Sequence, residues 1–392
     1  MSSIAAIIDQ YLPEIKAFRQ DLHENPELGY QEIQTARKVK ERLELKGGFH
    51  IQDGIAQTGI VATLGKDKPG KGIALRADMD CLPINEVSGK PWSSKKKGLM
   101  HACGHDGHTS CLLGTALTLS DLSDSLKGPV KFIFQPAEEG GAGGEKMVEE
   151  GILNEPDVEM VFGLHGWPGL KLGEIATCSG SMMANADEFE ITIVGRGGHA
   201  AFPHKCIDPI LIASNVVTAL QSITSRSTAP EDSVVLTVAK IEGGTAFNII
   251  PDSAYMLGTI RTLSEKTQTM VFNQINTIAS GIATSLGGRA EIKITKGYPV
   301  LSNAPEAYTY LSETFEQMDS PIKQVESIFP QLVGEDFAYF ARTKPSCFFA
   351  LGLIPEDADS YPQLHQADFD FNNDALPIGM RCFSELVLKF WD

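Results

Sequence analysis

The apolar positions along this chain follow two different rhythms, and the change between them divides it into regions. Near the start, Ile4, Ile7, Ile8 and Leu12 recur at helical spacing and predict an N-terminal helix. A second helical pattern runs over about 31–45. The apolar runs GIVATL (59–64), GIALRADMD (72–80) and VKFIFQ (130–135) then read as buried strands. Between the last two, Thr109, Leu112, Leu113, Ala116 and Leu119 fall on one helical face. Strands alternating with helices predict a mixed, largely parallel α/β sheet flanked by helices.

The middle of the chain changes rhythm. In DEFEITIV (187–194), Phe189, Ile191 and Ile193 alternate with Glu190 and Thr192, the period-two pattern of a strand with one buried face. Asp208-Pro209 then has the form of a helix cap followed by proline at the first helical position. Two strand patterns (233–244 and 253–263), a helix near 265–285 and a strand at 289–295 complete a βαββαβ order. That order predicts a ferredoxin-like α+β insertion over 186–298, leaving 1–185 and 299–392 as the two parts of the larger domain. FFALGLI (348–354) and a closing helix return to the first rhythm.

Length agrees with this division, because 392 residues exceed what one hydrophobic core usually serves. A formal charge of −17 argues against nucleic acid or an anionic membrane as partner, since both demand a basic surface. No stretch of about 18 apolar residues predicts a membrane span. The seven cysteines have no framework-like spacing and the N-terminus lacks a signal-peptide pattern, so a reducing, cytoplasmic location is expected.

The chemistry concentrates where the predicted strands end, the edge at which open α/β sheets collect ligands. HACGHDGHT (101–109) holds three of the nine histidines together with Cys103 and Asp106. LRADMD ends at Asp80, VKFIFQPAEEGG at Glu138-Glu139 and VFGLHG at His165, while His365 follows FFALGLI in YPQLHQADF. Taken singly, His165 or His365 reads as an ordinary histidine, and Cys103 as a small buried hydrophobe. Together, a thiolate, three imidazoles and a carboxylate exceed the four ligands of a closed zinc site and suit two ions sharing a bridge. In an extended segment, adjacent glutamates point opposite ways, so Glu138-Glu139 could put one carboxylate on metal and keep the other as general base. His101 and His108 fit either as ligands or as supporting donors.

These stretches, with FRQDLHENPELGYQE (18–32), LRADMDCLP (75–83), PAEEGGAGG (136–144), LHGWP (164–168), GRGGHAAFPH (195–204), FNIIPDSA (247–254), GTIRT (258–262) and GEDFAYF (334–340), resemble the M20 metallopeptidase family. The resemblance covers nearly the whole chain. It is strongest to the amidohydrolase branch of hippurate hydrolases, N-acyl-amino-acid amidohydrolases and plant auxin-conjugate hydrolases. It implies a dinuclear metal site held by Cys103, His105, Glu139, His165 and His365. Glu138 would be the general base, and Asp80 and Asp106 would be supporting side chains. Other branches carry histidine where this chain has Asp78, and that departure leaves the bridging residue open. The resemblance also implies that His199 stabilises the oxyanion, that Asn248 and Arg261 hold a substrate carboxylate, and that the insertion is a lid through which the chain forms a homodimer. The expected activity is hydrolysis of N-acyl amino acids, with a dipeptidase or carboxypeptidase as the alternative and a non-catalytic relative as the remote one. The expected metals are manganese or zinc, with cobalt and nickel behind them. The acyl pocket is sought near Met182, Met183 and Phe337.

Overall fold

A computed structural model describes residues 3–318 and 322–392 and separates them into two compact units. The first comprises residues up to 180 together with 302–329 and 336–392; the second comprises 181–301 and 330–335.

Among the described residues the first unit is built on an eight-stranded mixed sheet. Its central strands, Gly72–Asp78, Val130–Gln135 and Ser346–Ile354, are buried along their whole length. Continuous burial explains why they read as apolar runs rather than as alternating patterns. Gly72–Asp78 lies parallel to Val130–Gln135 on one side and to Val158–Lys171 on the other, and Val158–Lys171 lies parallel to Ser346–Ile354. The outer strand Phe49–Ile55 is mostly exposed, and its sequence FHIQDGI carries no apolar run by which to recognise it.

The helices Ile4–Glu24, His105–Asp121 and Leu376–Leu388 bury Ile15, Phe18, Leu112, Leu119, Phe383 and Leu386 in the same core as the sheet residues Phe132 and Phe349. In helix His105–Asp121 burial continues all round, so every residue from His105 to Leu119 is inside. Its polar members must therefore find partners within the protein.

The second unit has the predicted ferredoxin-like order. Its antiparallel sheet runs Val234–Gly243, Ser253–Thr262, Asp187–Val194, Arg289–Thr295. Phe189, Ile191 and Ile193 point into a core with Ile212, Val216 and Leu220 of helix Pro209–Ser222 and Val271, Ile275 and Ala279 of helix Glu265–Ser285. Asp208 caps the first helix, accepting the Ile210 and Leu211 N–H groups at 2.9 and 3.3 Å. No helix among the described residues is long and apolar enough to cross a membrane.

Candidate metal and catalytic centre

Strand Gly72–Asp78 delivers Asp78 at its end, and the chain continues to Asp80. The loop before helix His105–Asp121 turns through Gly104, whose φ of +89° is open to glycine. One turn on, Gly107 lies against the ring of Phe371, where a Cβ would come within 2.2 Å of Cγ. The two glycines therefore allow Cys103 and His105 to sit close under the sheet edge. His165 was expected at a strand end, but strand Val158–Lys171 runs on past it because Ser346–Ile354 keeps pairing, with Ala350 opposite His165. On the other flank pairing stops at Arg76–Gly163, so His165 lies just beyond the end of that neighbour.

These elements bring the predicted ligands together. Cys103, His105 and His165 form one group whose donor atoms all lie within 4.8 Å of one another, and Cys103, Glu139 and His365 form a second. Cys103 belongs to both. His105, Glu138 and Glu139 form a third group on the same terms. Cys103 Sγ lies 3.4 Å from His165 Nε2, and His365 Nε2 lies 3.2 Å from Glu139 Oε1. His365 itself has a φ of +65°, an uncommon conformation for histidine and of the strained kind that functional positions often hold.

Hydrogen bonds decide which ring nitrogens remain available. His165 Nδ1 is engaged by the Gly166 carbonyl at 2.9 Å and His105 Nδ1 by Asp80 at 3.1 Å, leaving both Nε2 atoms for a ligand. His105 Nε2 is buried with no hydrogen-bond partner among the described residues. His108 is fully engaged: its Nε2 accepts the Gly166 N–H at 2.7 Å, so Nδ1 carries the proton donated to Asp78, also at 2.7 Å. His101 is buried and joins none of the ligand groups. Asp78 is tied to Arg76 at 2.8 Å as well as to His108.

Asp80 holds two candidates at once, because its second oxygen accepts the Glu139 N–H at 2.9 Å. Asp106 instead binds Arg19 and His23, at 2.8 and 2.7 Å, and touches no candidate ligand.

The two glutamates share the group with His105 but otherwise have different partners, and not for the reason expected. They lie in a kinked turn, not an extended segment, entered through Ala137 at φ +52° and left through Gly140 at φ +83°. Glu138 is buried and its Oε1 faces the Asp336 N–H at 3.4 Å, while Glu139 turns to Cys103 and His365.

The donor set fits divalent cations. Burial, with Glu139, Glu138 and Asp78 nearby, pushes the Cys103 thiol well above its usual range, so its ionisation calls for a compensating positive charge. Burial and the neighbouring His108 hold His165 far below the usual histidine range, in the neutral form that ligates metal.

In the second unit, the short strands Gly198–His199 and Ile249–Ile250 pair, which puts His199 beside Asn248; the Asn248 carbonyl accepts the Ala200 N–H at 3.0 Å. His199 is exposed, and its Nδ1 accepts the Ala201 N–H at 3.0 Å, which leaves Nε2 as the protonated, outward nitrogen. Arg261 is half-buried on strand Ser253–Thr262 and its guanidinium makes no hydrogen bond or ion pair among the described residues, although Asp187 and Glu188 lie close enough to be felt. Phe337, near which the acyl pocket was sought, is a core residue. It is fully buried, 4.9 Å from the ring of Phe348 and 5.6 Å from that of Phe340. Met182 and Met183 are buried too.

Three side chains that local sequence reasoning missed frame this centre. Asp336 accepts from Arg76, from Gln135 and from the Gly144 N–H, each at 2.8 Å. Arg76 and Glu32, both fully buried, complete the frame. The available signal was a charge inside a buried run, as in IALRAD, and acids in quoted motifs that had no assigned role.

Comparison with known proteins follows the same residues. Residues 74–389 match the family described as Peptidase family M20/M25/M40. The chain is 38% identical to a hippurate hydrolase of Campylobacter jejuni, with 100% of both chains covered. It is also 38% identical to an N-acetylcysteine deacetylase of Bacillus subtilis, over 94% of this chain and 95% of the relative. The crystal structure of a dinuclear metal binding peptidase of the M20 family from Bacillus subtilis superposes with a TM-score of 0.85 at 35% identity, covering 97% of this chain and 98% of that one.

Proposed function

The chain belongs to peptidase family M20/M25/M40, and from that premise we propose that it hydrolyses the amide bond of N-acyl amino acids, releasing a carboxylic acid and a free amino acid. The observation that carries this reading is the pair of donor groups meeting at Cys103, with Glu138 within reach of their edge.

Cys103, His105, Glu139, His165 and His365 would hold two divalent ions, and Cys103 is the residue common to both groups. Zinc suits the thiolate and imidazoles, and manganese suits the carboxylate-rich edge. Bound there, the ions would supply acidity to a water and polarise the substrate carbonyl.

Glu138 is the proton carrier: it accepts the water's proton and returns it to the departing amine. His199 Nε2–H donates to the developing oxyanion, a contribution of roughly 3–4 kcal/mol for such a donor. Arg261, a planar fork with no protein partner among the described residues, receives the substrate's free carboxylate, and Asn248 supports it.

The second unit serves as lid and dimer surface in this reading. It exposes Ile210, Leu211, Ile241, Ile249 and Phe247, the last at 99%. Apolar side chains exposed in such number suit a homodimer contact. No disulfide joins the cysteines among the described residues, in keeping with a cytoplasmic protein.

The test is amine release from N-acyl amino acids and dipeptides by protein reconstituted with zinc or manganese, alongside Glu138→Gln. Turnover of acyl amino acids is expected. The variant should keep its metal and lose about 10²–10⁴-fold in kcat. Turnover of dipeptides alone would move the assignment to a peptidase, and a fully active Glu138→Gln would remove the base.

A further inference from the structure

The motif GYQE at 29–32 has no part in the chemistry so far, yet it abuts the turn that separates the two glutamates. Glu32 precedes helix Ile33–Lys46 and is fully buried. Its Oε1 accepts the Ala137 N–H at 2.8 Å, and its Oε2 accepts the Thr58 hydroxyl at 2.6 Å. Three segments distant in sequence are thereby tied at one carboxyl group. Ala137 is the residue held at φ +52°, a conformation alanine avoids unless its surroundings impose it. Gly29 makes the space, since a Cβ there would lie 2.9 Å from the Cβ of Ala137.

The next peptide groups are held from other directions. Asp80 takes the Glu139 N–H, Tyr30 donates its hydroxyl to the Gly141 carbonyl, and Asp336 takes the Gly144 N–H. The tie from Glu32 acts on the N–H of Ala137, the residue immediately before Glu138, while the Ala137 carbonyl accepts the Gly143 N–H at 3.1 Å. The backbone angles of Ala137 set the direction in which the Glu138 side chain leaves the chain.

We propose that Glu32 is a positioning residue for Glu138: by bonding the Ala137 N–H it fixes the left-handed entry to the turn and so aims the general base. This rests on Glu138 being that base. Burial pushes the Glu32 carboxyl up to about 7, so a carboxamide is a close mimic of its protonated form. In Glu32→Gln the amide oxygen can still accept from Ala137, while the amide nitrogen donates to the Thr58 hydroxyl. In Glu32→Ala neither bond survives.

The experiment compares Glu32→Ala, Glu32→Gln and Glu138→Gln as metal-loaded, full-length proteins. It reads kcat, KM, bound metal per chain and amide exchange over residues 137–144. Glu32→Ala should lose about 10²-fold in kcat, the scale of a 1 Å misplacement, with KM changed less than about threefold. Its metal content should stay at the wild-type level while exchange over 137–144 accelerates, and Glu32→Gln should recover most of the kcat. Wild-type kcat in Glu32→Ala, a loss that tracks loss of metal, or a Gln variant as impaired as Ala would each overturn the proposal. Should Glu32→Ala not fold, Glu32→Asp retracts the oxygen from Ala137 while keeping the charge, and wild-type kcat there is equally fatal. An active Glu138→Gln sinks the base assignment and this inference together. An inactive one beside a fully active Glu32→Ala sinks this inference alone.

Discussion

Cys103, His105 and His165 are buried and locked by their neighbours, whereas His199 and Asn248 are exposed and the half-buried Arg261 guanidinium has no partner among the described residues. The first group sits where every polar atom must be satisfied by the protein or by an ion, because a buried orphan is expensive. Asp80 takes the His105 Nδ1 and the Gly166 carbonyl takes the His165 Nδ1, which leaves His105 Nε2 without a hydrogen-bond partner among the described residues and turns His165 Nε2 to Cys103 Sγ. In the second group open valence is cheap, since solvent satisfies it until a ligand arrives. The difference teaches that burial forces the candidate ligands of the first unit into fixed hydrogen bonds, while the polar groups of the second unit are free of that demand.

Cysteine 103 offers the hardest test of that contrast. Because it belongs to both donor groups, Cys103→Ala should cost more than one ion. Metal per chain should fall well below that of the wild type, and turnover by about 10³-fold or more, given that metal polarisation supplies several kcal/mol. An unchanged metal-to-protein ratio would break the comparison on its first side. Arg261→Ala probes the other side and should leave metal untouched. Losing a charge-assisted contact of about 1.5–3 kcal/mol should raise KM for N-acyl amino acids about 10–100-fold. The matching amides, lacking the carboxylate, should be barely affected; equal losses on both would mean that Arg261 supports the lid and does not read the substrate.

The same contrast explains what could be read in the sequence. Burial on both faces makes a strand into an apolar run, so Gly72–Asp78, Val130–Gln135 and Ser346–Ile354 were legible, and with them the edge where the ligands gather. The antiparallel unit was legible through its period-two strands and the Asp208-Pro209 cap. Strand Phe49–Ile55 was not, because an exposed edge places no demand on hydrophobicity. Nor could the extent of the strand through His165 be read, since its continuation depends on Ser346–Ile354, nearly two hundred positions away. Strand alternation as the reason for separating Glu138 from Glu139 does not hold, because the two lie in the kinked turn entered at Ala137. Glu32 and Asp336 act on that turn from 105 and 192 residues away, and no local period records such pairings.

The smallest expected effect lies behind the ligand loop and concerns stability alone. His23 is fully buried on helix Ile4–Glu24, with Nδ1 2.7 Å from Asp106 and Nε2 3.2 Å from Glu86. Burial pulls its pKa down, but Asp106 and Glu86 more than reverse this and hold it up at about 9. A histidine bound more tightly to its proton in the folded state adds stability that is fully present below its unfolded pKa of about 6.5. That contribution is lost as pH rises from there through about 9. Wild type should therefore exceed His23→Gln in Tm by a few degrees at pH 6, and the gap should close towards pH 9. Taking the difference between the two proteins cancels Lys131, whose buried ammonium, with its pKa lowered to about 8, pulls stability the opposite way over the alkaline part of that range. A gap that stays constant with pH would mean that His23 contributes packing and neutral hydrogen bonds only, and that Asp106 is balanced by Arg19 alone.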